Sequence, residues 1–413
     1  MEFIQIIIFS SIYLGLVATT FFVLSYLSCS KKEKLLFSDD ELPFVSILIP
    51  VWNEEKSIAK TLNSILKTDY PKDKFEIIVI NDGSIDKTLE LARKYEFKGV
   101  KVFSKENGGK GSALNFGIKR ARGQIIFSMD ADTLVDKKSV KNMVRYFKNK
   151  QIMCVSPAIA IYNPKGILQR VQHIEYLSGL FLRKAFASLN AIHVTPGAFS
   201  AYRKSFFDKY RGYDEKNLTE DLELALRIQS KGYLIENSLE SPVYTIAPNK
   251  FLPLLKQRRR WYIGLMKNTW NYKKIFGKKY GDLGMFVLPN AWLAVLLSMF
   301  VFVFMSIKTL LKVKDELLFF NSINFDFGSL GSLSLYTLER YAFLLFTNPI
   351  VIFLLIFTFL IGFYLYFATK RTSKVSNLSI NLPLFLAFFS ILFGFWWTVS
   401  LIYFLFNRDI SWR

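Results

Sequence analysis

A chain of 413 residues with 51% hydrophobic side chains can bury a sizeable core, and its formal charge of +21 raises the question of a polyanionic partner. The apolar residues are unevenly spread: Phe3–Ser30, Leu283–Ile307, Ala342–Thr369 and Val375–Asn407 hold no charged residue, and each reaches the roughly 20 residues that a helix needs to cross a bilayer. A purely soluble enzyme is excluded on that pattern, and so is a nucleic-acid binder, because the basic residues cluster beside the apolar spans rather than in one patch.

Those clusters are Lys31, Lys32 and Lys34, then Lys273, Lys274, Lys278 and Lys279, then Lys370, Arg371 and Lys374. They follow the positive-inside pattern and attract anionic membrane lipids. The first span is too long for a secretory leader and begins with Glu2 rather than basic residues. Two cysteines, Cys29 and Cys154, give no disulfide framework, which suits a large domain in the reducing cytosol. The expected organisation is a transmembrane helix over 1–30, a cytoplasmic domain over 31–250, an interfacial helix over 251–282 and a membrane domain over 283–413. That last domain would hold helices at 283–307, 342–369 and 380–406, making a multi-pass protein of the plasma membrane with four spans. The charged, Phe- and Leu-rich stretch Lys308–Arg340 would lie outside, partly on the membrane surface.

Within the polar region, strand-like and helix-like segments alternate. Val45–Val51 reads as a strand, Ser57–Lys67 as a helix, Phe75–Ile80 as a strand, Asp86–Tyr95 as a helix and Val100–Phe103 as a short strand. Lys110–Arg122 is helical and leads into the apolar strand Gln124–Met129. This βαβα order predicts a parallel, Rossmann-like sheet covered by helices. Ile167–Phe186, Glu220–Ser230 and Leu252–Ile275 follow as helices, the last rich in Arg, Lys, Trp and Tyr and suited to a bilayer interface.

Polar motifs fall at the ends of these segments. Asp130 and Asp132 close the Gln124–Met129 strand, where open α/β sheets place ligands, and can converge on one hard cation such as Mg²⁺ or Mn²⁺. Asn81-Asp82-Gly83-Ser84 ends the second strand, where Asp82 can accept hydrogen bonds from a nucleobase, although the same residues make an ordinary turn. Asn107–Gly111 opens the third helix with exposed backbone N–H groups, and Lys110 can neutralise a diphosphate there. Thr219-Glu220-Asp221 begins a helix, with Thr219 as a plausible N-cap and a carboxylate able to act as a base. Gln257 to Trp261 forms QRRRW, in which Gln257, Arg260 and Trp261 share one helical face while Arg258 and Arg259 turn towards lipid headgroups.

In this order, NDGS, DAD, TED and QRRRW resemble the inverting family 2 glycosyltransferases of the processive-synthase type, which include cellulose, chitin, hyaluronan and poly-N-acetylglucosamine synthases. Trp52-Asn53-Glu54-Glu55, GKGSALNFGI and Gln172-His173-Ile174-Glu175-Tyr176 extend the resemblance over Val45 to Trp261. The resemblance implies a GT-A-type α/β domain and a single displacement at the anomeric carbon of a nucleotide-sugar donor. It assigns Asp221 as the catalytic base, Arg260 as the cation on the leaving group, and Asp132 with Asp130 as the metal site. It places Asn53, Glu54, Asp82, Lys110, Asp130, Gln257 and Arg260 on the donor, and Gly197, Glu220 and Trp261 on the acceptor. Pro196 and Trp52 depart from the family's pattern. The acceptor would be a growing polysaccharide, or alternatively a membrane lipid such as a polyprenyl phosphate, with UDP-N-acetylglucosamine as the first-choice donor. A homo-oligomer or an accessory membrane subunit is compatible with that reading. An inactive scaffold or transport subunit is disfavoured because every motif carboxylate is present.

Overall fold

The computed structural model describes residues 3–29, 37–38, 40–322 and 378–406, with short pieces between 339 and 366. Among the described residues eight strands are present: β1 (Val45–Val51), β2 (Phe75–Asp82), β3 (Val100–Lys105), β4 (Ile125–Met129), β5 (Leu134–Val135), β6 (Ile152–Ile161), β7 (Phe199–Arg203) and β8 (Leu234–Thr245). They join one sheet in the order β3-β2-β1-β4-β7-β6-β8-β5. Between them lie α2 (Ile58–Leu66), α3 (Thr88–Arg93), α4 (Lys110–Ile118), α5 (Ser139–Val144), α6 (Ile167–Ser188), α7 (Lys204–Tyr210) and α8 (Glu220–Ser230). The chain begins with α1 (Phe3–Cys29) and continues after the sheet with α9 (Phe251–Asn271), α10 (Leu288–Ser322) and α11 (Leu378–Leu405).

The alternation of β1 shows why this sheet is covered on both sides. Ile47 and Ile49 pack with Ile58, Leu62 and Val144 from α2 and α5. Leu48 points the other way, onto Ala113 and Leu114 of α4 and Ile228 of α8. This is the period of two expected for a pleated strand buried on both faces. Close approach at the β4 entry requires glycine: a Cβ on Gly123 would stand 2.5 Å from the Ser46 nitrogen.

Pairing is parallel across β3, β2, β1 and β4, as the segment order predicts. The rest departs from that expectation, because β7 runs antiparallel to both β4 and β6 while β6 and β8 are parallel. β7 enters from the carboxyl edge of β4, directly after the Thr195–Ala198 loop, so it can only run against β4. The Asp130 nitrogen donates to the Ala198 carbonyl at 2.9 Å, and this places that loop beside the Asp-x-Asp pair.

Among the described residues three helices are long and apolar enough to cross a bilayer, over Ile6–Leu27, Leu283–Ser322 and Asn381–Leu405. The expected 283–307 span is therefore longer than the sequence pattern suggested. It starts with a π-helical turn at Leu283–Val287 and continues to Ser322, because the residues from Lys308 onward contain no Pro or Gly to stop it. The expected 342–369 helix lies mostly outside the described residues. α6 packs on α1 through Phe181 and Tyr26, whose rings are 4.9 Å apart. α9 packs on α11, where Tyr262 stacks on Trp397 at 4.3 Å.

Candidate active site

The carboxyl ends of β1, β2 and β4 bring three loops together. In the first, Asn53 adopts a left-handed conformation with φ 56°. Its nitrogen donates to Ser84 Oγ at 3.0 Å, and its Oδ1 accepts from the Ile85 nitrogen at 2.9 Å, so Asn53 ties the β1 loop to the β2 loop. Glu54 accepts from Ser57 Oγ. Burial raises the Glu54 carboxyl above its usual range.

Asp82 lies at the last position of β2, two residues beyond Ile80, where the sequence pattern places the end of that strand. Its buried carboxylate accepts from the Gly108 and Gly109 nitrogens at 3.0 and 2.7 Å and from Lys105 Nζ at 2.7 Å. The NGGKG loop is thus tied to the sheet through Asp82, and Lys110 is held at the start of α4.

Lys110 joins the two carboxylate motifs. Its Nζ is 2.5 Å from Asp130 Oδ1 and 3.4 Å from Glu220 Oε1. Burial works against its charge, yet Asp130, Glu220 and Asp221 outweigh that and hold the ammonium above the usual lysine range. Gly197 closes the same cluster, since a Cβ there would meet Asp221 Oδ2 at 2.7 Å and Lys110 Nζ at 2.8 Å. Burial, Asp130 and Glu54 push the Asp132 carboxyl up to about 7. Burial likewise raises Glu220 and Asp221, opposed by Lys110 in both cases and by Arg260 for Asp221.

The structure alters several expectations from the sequence. Thr219 precedes α8 but its side chain makes no capping hydrogen bond. Its hydroxyl instead accepts from Asn268 of α9 at 3.0 Å, and a Cβ on Gly264 of α9 would stand 2.3 Å from that hydroxyl. The Thr-Glu-Asp turn is therefore seated directly against α9. Arg258 does not face lipid: it is buried and binds Glu175 of α6 with both ends of its guanidinium, at 2.6 and 2.7 Å. Once α9 lies on α6, the face that looked outward in the sequence becomes an interhelical seam. Arg259 lies 4.2 Å over the Tyr403 ring of α11, so it too meets protein. Gln257, Arg260 and Trp261 are each partly exposed.

Two residues of this arrangement had no signal in the sequence. Thr195 donates to the Asp221 carbonyl at 3.0 Å, and Asn268 fixes Thr219. Each acts across a long chain separation, where local spacing carries no trace. Among the described residues no group of three or more His, Cys, Asp or Glu side chains is placed to hold a metal by itself. Asp130 and Asp132 offer hard oxygen donors and crowded negative charge, which fits a cation that keeps some ligands from water or substrate phosphate.

Residues 46–211 match the model of the family described as glycosyl transferase family 2. A poly-beta-1,6-N-acetyl-D-glucosamine synthase from Staphylococcus aureus (strain COL) is 33% identical over 261 residues, spanning 62% of this chain and 63% of that protein. The chain therefore matches less than two thirds of that relative's length. A protein of the same description from Staphylococcus epidermidis is 31% identical over 303 residues, covering 68% of this chain and 71% of the relative. Among solved structures, a mannosyltransferase from Pyrobaculum calidifontis in complex with GDP-Man and Mn2+ superposes with a TM-score of 0.58. It is 17% identical and covers 98% of this chain and 100% of its own, a likeness of fold.

Proposed function

We propose that this chain, which belongs to glycosyl transferase family 2, extends a polysaccharide at the cytoplasmic face of the plasma membrane, taking each sugar from a nucleoside-diphosphate donor. The observation that carries the reading is the Lys110 bridge. One ammonium contacts Asp130 of the donor-side motif and Glu220 of the acceptor-side motif, so the two motifs border one cleft. N-acetylglucosamine from UDP-N-acetylglucosamine is the first-choice sugar, because the staphylococcal relatives are poly-N-acetylglucosamine synthases.

In this reading Asp221 takes the proton from the acceptor hydroxyl as that oxygen attacks the anomeric carbon. Its raised pKa brings it closer to neutral, the range in which a general base works best. Arg260 offsets the negative charge that develops on the departing diphosphate. Asp130 and Asp132 would hold Mg²⁺ or Mn²⁺, which when bound supplies Lewis-acid stabilisation of that leaving group. Asn53 and Asp82 shape the donor side by fixing the loops after β1 and β2. Gly197 and Glu220 border the acceptor side, and Trp261 offers an indole face to a sugar ring.

The test is to supply a panel of nucleotide-sugars to the full chain in native lipid and to weigh the products by mass spectrometry. A ladder of saccharides from one donor is expected. A single lipid-linked sugar would replace polymer extension with transfer to a membrane lipid, and no nucleotide release from any donor would end the enzymatic reading.

A further inference from the structure

Several polar residues of α6 are committed to protein partners. Glu175 takes Arg258 of α9, and Gln172 donates to the Pro248 carbonyl at 2.9 Å. Lys184, although buried, donates to the Asn237 carbonyl at 3.1 Å and lies 3.6 Å from Glu236. Leu177, Phe181 and Ala185 fill the core shared with Phe22 and Tyr26 of α1. Apart from Arg170 near its start and the buried His173, a strip of partly buried residues runs at helical spacing: Tyr176, Gly179 and Arg183.

Arg183 is the unusual member. Buried Nε atoms without a hydrogen-bond partner also occur at Arg145, Arg227, Arg258, Arg259 and Arg260, but Arg227, Arg258 and Arg259 have a carboxylate or ring elsewhere and Arg145 and Arg260 have partners too. Arg183 has no hydrogen bond, ion pair or ring contact among the described residues. Side chains on a helix lean towards its N-terminus, and Arg183 does so: a Cβ on Gly179 would stand 3.3 Å from its Nη1. The guanidinium therefore lies back along the strip towards Tyr176, over the space that Gly179 leaves open. Tyr176 packs on the core of the sheet, and the charges of Arg258, Glu175, Arg183 and Asp132 act on its hydroxyl. Burial pulls the Arg183 pKa down to about 10, the mark of a cation desolvated without a counter-ion.

We propose that the Tyr176–Gly179–Arg183 strip is a binding site for one phosphate group carried by a lipid, with Arg183 as its planar, multi-donor clamp. A lipid is the carrier because the same helix is seated on α1, a candidate membrane span, seven residues or fewer from the strip. The phosphate comes either from a bilayer headgroup or from a lipid-linked acceptor, and the two share the chemistry that Arg183 recognises. The site rests on the membrane reading of α1 and not on the transfer reaction, so it can fail without that reaction failing.

Native mass spectrometry of the full chain in phosphate-free detergent tests it, with no sugar donor present. The probes are phosphatidic acid and a polyprenyl monophosphate, against diacylglycerol and polyprenol as their phosphate-free counterparts. Either phosphate-bearing lipid should be retained about tenfold better than its counterpart, and R183Q should erase that margin. G179A supplies the check on folding: alanine favours the helix, so melting should hold or rise while retention falls as the new methyl group displaces Nη1. Preference for phosphatidic acid assigns the headgroup, and preference for the polyprenyl phosphate assigns the acceptor. Equal retention of phosphate-bearing lipid by the parent protein, R183Q and G179A would overturn the site.

Discussion

Gly197 and Asp221 are in such close contact that a single added methyl group on the glycine would lie 2.7 Å from the Asp221 carboxylate oxygen. The two residues come from different segments, Gly197 from the loop before β7 and Asp221 from the first turn of α8. Their contact fixes where the Asp221 carboxylate can stand, and Lys110 Nζ lies 2.8 Å from the same Cβ position. Gly197→Ala should therefore move the base rather than unfold the domain. A fall in kcat of about tenfold to a hundredfold is expected, the scale of a sub-ångström to ångström misplacement. Nucleotide release and the melting temperature, measured on the same preparation, separate the two effects. An unchanged kcat would mean that the carboxylate does not act from this position.

Asp221→Asn removes the proposed base while keeping its size. Transfer should be lost while donor affinity stays near that of the parent protein, since the carboxylate acts in the chemical step. In the parent protein the base is active only when ionised. Its raised pKa should thus place the acid limb of the rate profile above the ordinary carboxylate range. A normal rate in Asp221→Asn would pass the role to Glu220.

Asp132→Ala should abolish turnover and leave the fold intact, and an excess of chelator should do the same to the parent protein. Asp132 sits amid Asp130 and Glu54, whose charges raise its pKa, so removing one carboxylate relieves repulsion rather than breaking a contact. Full turnover in chelator would rule out the metal role.

The parallel half of the sheet was legible because β1, β2 and β4 are continuous apolar runs, the pattern of strands buried on both faces. The antiparallel half was not. β6 carries Pro157, and its pairing with β8 contains register shifts on both sides of the Cys154–Pro157 run, so no simple alternation marks either strand. The motif carboxylates were legible by type and spacing, but their wiring was not. Glu175 and Arg258 are 83 residues apart, and nothing within one helix announces the other. The exposed-looking arginines of QRRRW could be ranked only after α6 and α11 were placed around them.

Glu76 should set part of the acid sensitivity of the fold. Its buried carboxylate accepts from Ser46 Oγ at 2.6 Å, Lys101 Nζ at 2.7 Å and the Arg122 nitrogen at 2.8 Å, linking β1, β2, β3 and the entry to β4. Burial alone would raise its pKa, but these donors outweigh it and hold the folded value below 4.5. The linkage sign follows: the stabilisation is complete above the unfolded pKa and is lost as pH falls through the lower, folded one. Glu76→Gln should lower stability at neutral pH by about 1–3 kcal/mol and flatten the acid side of the melting profile. A profile with the parent's full acid slope would place that sensitivity elsewhere.

The three arginines of QRRRW should behave as three different residues. Arg258 is buried in a two-pronged pair with Glu175, so Arg258→Ala strands a buried carboxylate and should cost about 3–5 kcal/mol of stability. The double variant Glu175→Gln with Arg258→Met should recover part of that loss, because neither residue then leaves an unpaired charge. Arg259 lies over Tyr403, and Arg259→Ala should cost about 0.5–1 kcal/mol with little effect on turnover. Arg260 acts on Asp221 from the cleft, and Arg260→Ala should lower turnover about a hundredfold while the melting temperature stays within a few degrees. Melting and nucleotide release, read side by side for all three, decide the matter. A purely anchoring helix would give equal small losses at each position, whereas an active-site helix clamped at Arg258 gives a stability defect at one residue and a rate defect two residues later.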